Sequence, residues 1–184
     1  MLAYRLEECY LISPAVSIGT SNHTLHASHS AGYGQFWRKS MAQEVRKLTI
    51  DDYDALIKVW ADAGLPYRPF GRDSRERMEI EMQREDTEFI GLFLNGRLVA
   101  LGLVTYDGRK GWINRVAVDP DYRNQGFASR IIEESERFLH GLGAEIIACL
   151  IEEYNTPSMA LFQKHGYLYG EDIHYFSKRK SEDT

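Results

Sequence analysis

Val116-Ala117-Val118-Asp119-Pro120-Asp121-Tyr122-Arg123-Asn124-Gln125-Gly126-Phe127-Ala128 is the stretch whose reading decides how this chain folds. A β-branched strand runs out at Asp119-Pro120, the chain turns, and a helix begins over Gly126 with Ile131, Ile132, Ser135, Phe138 and Leu139 on its buried side. At such a helix start about four backbone N–H groups lack partners within the helix, and the aligned peptide dipoles add partial positive charge. Phosphate binds there readily. Gly126 lets the backbone approach a ligand, Ala128 keeps the first turn small, and Arg123 adds a mobile charge. An ordinary strand-to-helix turn with a surface arginine fits the same residues, so local physics leaves both readings open.

Working outward, Gly141 and Gly143 end the helix and Glu145–Ile151 reads as a β-branched apolar strand. It forms a β-α-β unit with Trp112–Val118, which makes the two strands parallel. Asn155–Lys164 is a helix entered through Asn155-Thr156-Pro157, and Tyr167–Tyr169 with Ile173–Ser177 is expected as a last strand pair. Upstream, Phe89–Leu94 and Leu98–Tyr106 are strands joined by Asn95-Gly96, a strong hairpin signal, and Asp107-Gly108 is a second such turn. Asp73 with Glu76 reads as a capping box opening a charged helix to about Gln83. Before it lies a stiff aromatic loop, Leu65-Pro66-Tyr67-Arg68-Pro69-Phe70. Thr49 caps an earlier helix with Tyr53, Leu56, Ile57, Trp60 and Ala63 on one face and Gly64 at its end, and Glu44–Leu48 alternates as a short strand. The order is β-α-α-β-β-β-α-β-α-β-β: an α/β fold with a mixed sheet of six to seven strands and about four helices.

The 184 residues suit one domain with an appendage. No run approaches the roughly 20 apolar residues of a membrane span. With 22 basic against 27 acidic side chains, a net charge of −5 argues against a dedicated nucleic-acid binder. Cys9 and Cys149 stand in no metal or redox spacing, which points to a reduced, cytoplasmic chain, and no metal is expected. Residues 1–40 carry three basic and two acidic side chains and no sustained periodicity, whereas 41–184 carries 19 and 25. The first segment is therefore read as a flexible N-terminal extension or a mis-assigned start, and 41–184 as the functional domain. His23, His26 and His29 recur every third residue, but a Ser/His-rich arm explains them better than a metal site.

Arg123-x-x-Gly126-x-Ala128, after a strand ending Val-x-Val-Asp-Pro, resembles the coenzyme A signature of the GNAT superfamily of N-acetyltransferases. Asn155…Ala160-Leu161-Phe162-x-Lys164-x-Gly166-Tyr167 is similar to that family's second block. The resemblance covers about Glu44 to Lys178. It implies the acyl-CoA N-acyltransferase fold, acetyl-CoA as co-substrate and an amine acceptor. It further implies that backbone groups of Val116, Ala117 and Val118 lie along the pantetheine arm beside a splayed sheet. Amides of Arg123, Asn124, Gln125, Gly126, Phe127, Ala128 and Ser129 would cradle the pyrophosphate, Asn155 would bond the pantetheine, and Phe162 would lie near the sulfur. The Val116 amide would donate to the carbonyl oxygen as charge develops on it.

The resemblance also exposes two departures. A lysine-like amine, with a pKa near 10.4, is almost wholly protonated at pH 7, so a base or a water relay must take its proton. Many members of the family use a glutamate on the fourth strand, where this chain has Asn114. Glu152, Glu153 and Asp107 are the substitutes. Phe162 stands where many members have a tyrosine that protonates the leaving thiolate, for which Tyr154, Tyr167 and Tyr169 are substitutes. These departures keep an alternative in view, a non-catalytic acyl-CoA sensor or scaffold. The acceptor pocket is expected from the first two helices and their loop, Gly64–Asp73, together with the turn before the last strand, with Tyr67, Phe70 and Trp112 giving it aromatic character. Glu152, Glu153, Glu171 and Asp172 near its mouth would favour a cationic acceptor, and a homodimer is compatible with the family.

Overall fold

The sheet is built outward from a central hairpin. In the computed structural model, which describes residues 42–178, β1 is Gln43–Lys47, β2 Thr87–Leu94, β3 Arg97–Tyr106, β4 Gly111–Val118 and β5 Ile147–Ala148. They lie in the order β1-β2-β3-β4-β5, antiparallel except for the parallel β4–β5 pair. Asn95 (φ 50°) and Gly96 (φ 81°) take the positive φ values that a tight two-residue hairpin needs. β2 and β3 are buried almost throughout because helices cover both faces of the sheet.

On one face lie α1 (Tyr53–Ala63) and α2 (Arg75–Met82). They bury Leu56, Val59, Trp60 and Met78 against Phe89, Leu101 and Ala117. On the other lie α3 (Phe127–Gly141) and α4 (Thr156–Lys164), with Ile131, Ile132, Leu139 and Phe162 packed on Val99, Ile113, Val116 and Val118. α3 sits close because β3 offers Gly102, where an added Cβ would meet Ile131 Cγ2 at 2.7 Å. Burying each such aliphatic side chain is worth roughly 1.5–3 kcal/mol.

Several sequence expectations need correction. Asp73 does not cap α2. Ser74 occupies the N-cap with extended backbone and accepts from the Arg77 N–H at 3.5 Å, while Asp73 is buried with its carboxylate turned inward to the Arg68 N–H at 2.7 Å. The Thr49 start is a 3-10 turn, Ile50–Asp52, that runs into α1. There Arg46 grips the Asp52 carboxylate with two bonds of 2.7 and 2.8 Å and holds it below the usual carboxylate range. The strand expected over Glu145–Ile151 pairs only at Ile147–Ala148, and the last strand pair is absent, so the sheet has five strands among the described residues. Leu168, Ile173 and Phe176 are largely exposed. A two-residue β5 offers little edge for a further hairpin, and an unsupported hairpin is marginal in water. The extension over 1–40, with Cys9 and its three histidines, lies outside the described residues.

Candidate active site

β4 carries one residue more than β3 opposite it. Four pairs, from Tyr106↔Gly111 to Leu103↔Asn114, run in one register, and Leu101↔Ala117 and Ala100↔Val118 run in a register shifted by one. The extra residue is a bulge at Arg115, a non-glycine residue at φ 53°. Its effect on the backbone follows from alternation. The Gly111 N–H points toward β5, donating to Ile146 O at 2.9 Å, and an unbroken strand would continue that set through Ile113, Arg115 and Ala117. Beyond the bulge, however, the Asp119 N–H donates to Val99 O on β3 at 2.9 Å. Ala117 and Asp119 therefore face β3, and Val116 and Val118 turn their backbone groups to the other side.

That side is open. β5 pairs with β4 only at Gly111↔Ile147 and Trp112↔Ala148, so the two strands part before Val116 is reached. The strand then passes through a short 3-10 turn, Pro120–Tyr122, into the loop that starts α3. Asp119 anchors this corner, accepting from the Asp121 N–H at 3.1 Å and from Arg97 at 2.7 Å. Asn124 (φ 60°) and Gly126 (φ 83°) both take left-handed backbone. Gly126 is the N-cap, and no heavy atom lies within 4 Å of where its Cβ would stand. The glycine thus meets a conformational need and leaves open space above the first turn of α3. Asn124, Gln125 and Gly126 are exposed and Ala128 and Ser129 half-buried, whereas Phe127 turns into the core. A helix start with left-handed backbone and open space above its first turn is a geometry that can receive a pyrophosphate.

Arg123 does not behave as the mobile charge expected of it. Its guanidinium lies back over Val118 O and over Ala63 O at the C-terminal end of α1, both at 3.4 Å, and burial lowers its pKa. It joins the loop to α1.

The other candidate residues separate clearly. Asn114 is half-buried on β4, and alternation from Ile113 places its side chain toward α1 and α2. Glu152 is buried between β5 and α4, where its backbone carbonyl receives the Asn155 N–H at 2.8 Å; Glu153 and Tyr154 are exposed. Asn155 is buried as the N-cap of α4, its side-chain oxygen accepting from the Ser158 N–H at 3.3 Å. Phe162 is buried, and the Tyr167 ring meets it edge-on at 4.9 Å. Asp107 must be withdrawn as a base. Its carboxylate accepts from Trp112 Nε1, the Lys110 N–H and the Arg109 N–H at 2.7–3.0 Å, which lowers its pKa to about 2. A carboxylate so poor in proton affinity is a turn clamp. The same bond commits Trp112 to that turn, and Phe70 is fully exposed, so neither aromatic lines a closed pocket. Among the described residues no three of His, Cys, Asp and Glu come together as a metal set.

Sequence reasoning missed one group altogether. Arg115 is only 5% exposed, lies 3.8 Å over the Trp60 ring, and donates to Pro66 O at 2.9 Å. Burial lowers its pKa to about 10. The available signal was Asn114-Arg115, two successive polar residues in an otherwise apolar strand, which breaks alternation where the bulge falls.

Comparison with known proteins bears on the family and the fold. Residues 43–167 match the family model described as the Acetyltransferase (GNAT) family. The chain is 28% identical over 124 residues to an acetyltransferase of Yersinia pestis (strain Pestoides F), covering 67% of this chain and 86% of that one. An acetyltransferase of Pectobacterium atrosepticum matches with the same identity and coverage. Among solved structures, the PaiA N-acetyltransferase of Thermoplasma acidophilum in complex with coenzyme A is similar in fold, with TM-score 0.63 and 21% identity over 72% of this chain and 94% of that one. An AAC(6')-Iy complex with a bisubstrate analogue matches with TM-score 0.63 and 16% identity, over 75% and 99%.

Proposed function

This chain belongs to the GNAT family of acetyltransferases, and from that premise we propose that it transfers acetyl from acetyl-CoA to a primary amine by direct attack. The observation that carries the proposal is the parting of β4 from β5 beside Val116 and Val118, next to the uncovered amides of the α3 N-terminus. In this reading Val116 and Val118 pair with the pantetheine arm as a missing strand would, and the amides from Arg123 to Ser129, around Gly126, hold the pyrophosphate. The co-substrate supplies an activated thioester; the chain supplies position and charge. The Val116 N–H, fixed in direction by the bulge, faces the carbonyl oxygen as negative charge grows on it. Asn155 caps α4 and bonds the pantetheine, and Phe162 packs beneath the sulfur.

Glu152 is the base this reading prefers. It is the buried carboxylate at the open end of the β5–α4 connection, whereas Glu153 is exposed and Asp107 is tied to its turn. It takes the proton from the amine directly or through a water that Asn114 orients. The proton for the departing thiolate is assigned to Tyr167, whose ring touches Phe162, in preference to the exposed Tyr154 or Tyr169. Residues 41–184 form the catalytic domain and 1–40 an extension to it, and the pocket for the amine lies between the loop 64–73 and β4.

The test is thiol release from acetyl-CoA in the presence of a panel of polyamines, aminoglycosides, amino-acid amides and peptides. Amine-dependent release is expected, lost in Gly126→Glu, which fills the open space over α3. Acetyl-CoA binding without release from any amine would support the sensor reading, and absence of binding would overturn the coenzyme assignment.

A further inference from the structure

The loop between α1 and α2 is an internally bonded unit. The Gly71 and Asp73 N–H groups donate to Arg68 O at 2.9 and 3.1 Å, the Asp73 carboxylate accepts the Arg68 N–H, and the Tyr53 hydroxyl donates to Asp73 O at 2.9 Å. What fixes this unit to the sheet is the residue at the β4 bulge. The Arg115 guanidinium is stacked on Trp60 of α1, bonded to Pro66 O near the start of the loop, and 3.9 Å from the Asp73 carboxylate at its end. One side chain thus reaches the helix before the loop and both ends of the loop, from a backbone position adjacent to Val116.

Stability alone does not account for a cation there. Removing a guanidinium from water is expensive, and in buried pairs of this kind the attraction to carboxylates often does no more than balance that cost. Apolar side chains of similar volume in place of both Arg115 and Asp73 would fill the space at similar or lower cost. The backbone is also strained, since a non-glycine residue in left-handed geometry within a strand is unfavourable, and such strain collects where geometry serves function. The planar fork supplies what an apolar residue lacks: a directional bond to a main-chain carbonyl and a flat face for the indole.

We infer that Arg115 is the positioning residue of the acceptor site, a clamp that sets the loop 65–73 at a fixed distance from the strand presenting Val116. The inference rests on the reading that this loop lines the amine pocket. Loosening it misplaces the amine relative to the thioester, and an error of about 1 Å in such a geometry costs on the order of 100-fold in rate. The coenzyme half, built from main chain, is left as it was.

The test uses the full chain with Arg115→Met and Arg115→Lys. With the fastest amine of the panel, Arg115→Met should raise the acceptor KM by at least about tenfold, with acetyl-CoA affinity, measured by calorimetry, within about twofold of the parent. Arg115→Lys, which retains charge without the fork, should fall between. Hydrogen exchange supplies a readout that needs no acceptor: amides of 65–73 should exchange at least about tenfold faster in Arg115→Met by a local opening insensitive to dilute urea, whereas those of 98–104 follow the urea dependence of global unfolding. A parallel loss of acetyl-CoA affinity, an unchanged acceptor KM, or loop exchange with the same urea dependence as the core would overturn the clamp. If Arg115→Met does not fold, Arg115→Lys carries both measurements. If the parent releases thiol with no amine, the acetyl-transfer reading fails, and loop exchange then decides the clamp alone.

Discussion

The two halves of the candidate site, on either side of Val116, are made of different materials. The coenzyme half, from Val116 to Ser129, is main chain: strand groups beside a departed β5 and amides at a helix start, with Gly126 and Asn124 bent to expose them. The acceptor half, from Trp60 to Asp73, is side chain: a buried cation, a buried carboxylate and an indole brought together across 49 residues of sequence between Pro66 and Arg115. A backbone site tolerates changes of side chain that preserve its turns. A buried charge cluster does not, because each member removed weakens the compensation of another.

The largest expected effect strikes the acceptor half through the strand itself. Deleting Arg115 removes the bulge, so Ile113, Asn114 and the residues after them meet β3 in a single register while Val116 and Val118 keep the sides they have now. What is lost is the bend and twist that the bulge adds beside β5, together with the side chain that joins β4 to Trp60 and Pro66. Amine-dependent thiol release should disappear with acetyl-CoA affinity lowered less, and a deletion variant that turns over amines as the parent does would sink the argument for the bulge.

Next comes removal of one charge at a time. Arg115→Met should lower unfolding stability in urea by roughly 1–3 kcal/mol, since it takes one of two guanidinium partners from the buried Asp73, whose carboxylate keeps Arg72 at 3.7 Å and the Arg68 N–H. Asp73→Asn in the same chain should restore part of the loss, because the two effects share one interaction and cannot add. Strict additivity in the double variant would show that Arg115 and Asp73 are independent.

A smaller effect belongs to Gly126. Gly126→Ala places a Cβ in open space but keeps φ at 83°, which costs about 1–2 kcal/mol of local strain. The coenzyme half should weaken, seen as higher acetyl-CoA Kd, with the acceptor KM unmoved. That is the mirror image of Arg115→Met.

The smallest is electrostatic and lies outside both halves. The Asp107 pKa is lowered to about 2 in the folded chain, below its unfolded value. Its carboxylate therefore stabilises the fold above the unfolded pKa, roughly 3.9, and that contribution is lost as pH falls toward 2. Asp107→Asn should flatten the pH dependence of thermal stability between about pH 4 and 2 while leaving amine-dependent thiol release at pH 7 unchanged. A large loss of activity at pH 7 would return Asp107 to the list of bases.

The contrast in materials also explains what could be read in the sequence. Hairpin turns, the α1 stop at Gly64 and the strand–Gly126–helix transition are local devices, and the residues at those positions announce them. The coenzyme half was legible for that reason. Arg115 was not, because its partners are set by the packing of α1 and the loop on β4. Asp73 was misread because capping is judged over four residues, whereas its carboxylate answers to Arg68 and Arg115. The C-terminal strands failed for the complementary reason. The pattern of Ile173–Ser177 is strand-like, but pairing needs an edge that a two-residue β5 does not offer.

The bulge on β4 has one more consequence, for how this site tolerates inheritance. The three residues between Ile113 and Ala117 face two on β3, so the segment carries one residue in excess of what pairing needs. A codon lost there leaves a regular strand with Val116 and Val118 on their present sides, at the expense of the bend and of the clamp. A codon gained must be absorbed by a second irregularity, or it turns over every residue that follows. This short stretch should therefore survive shortening by one residue more readily than lengthening.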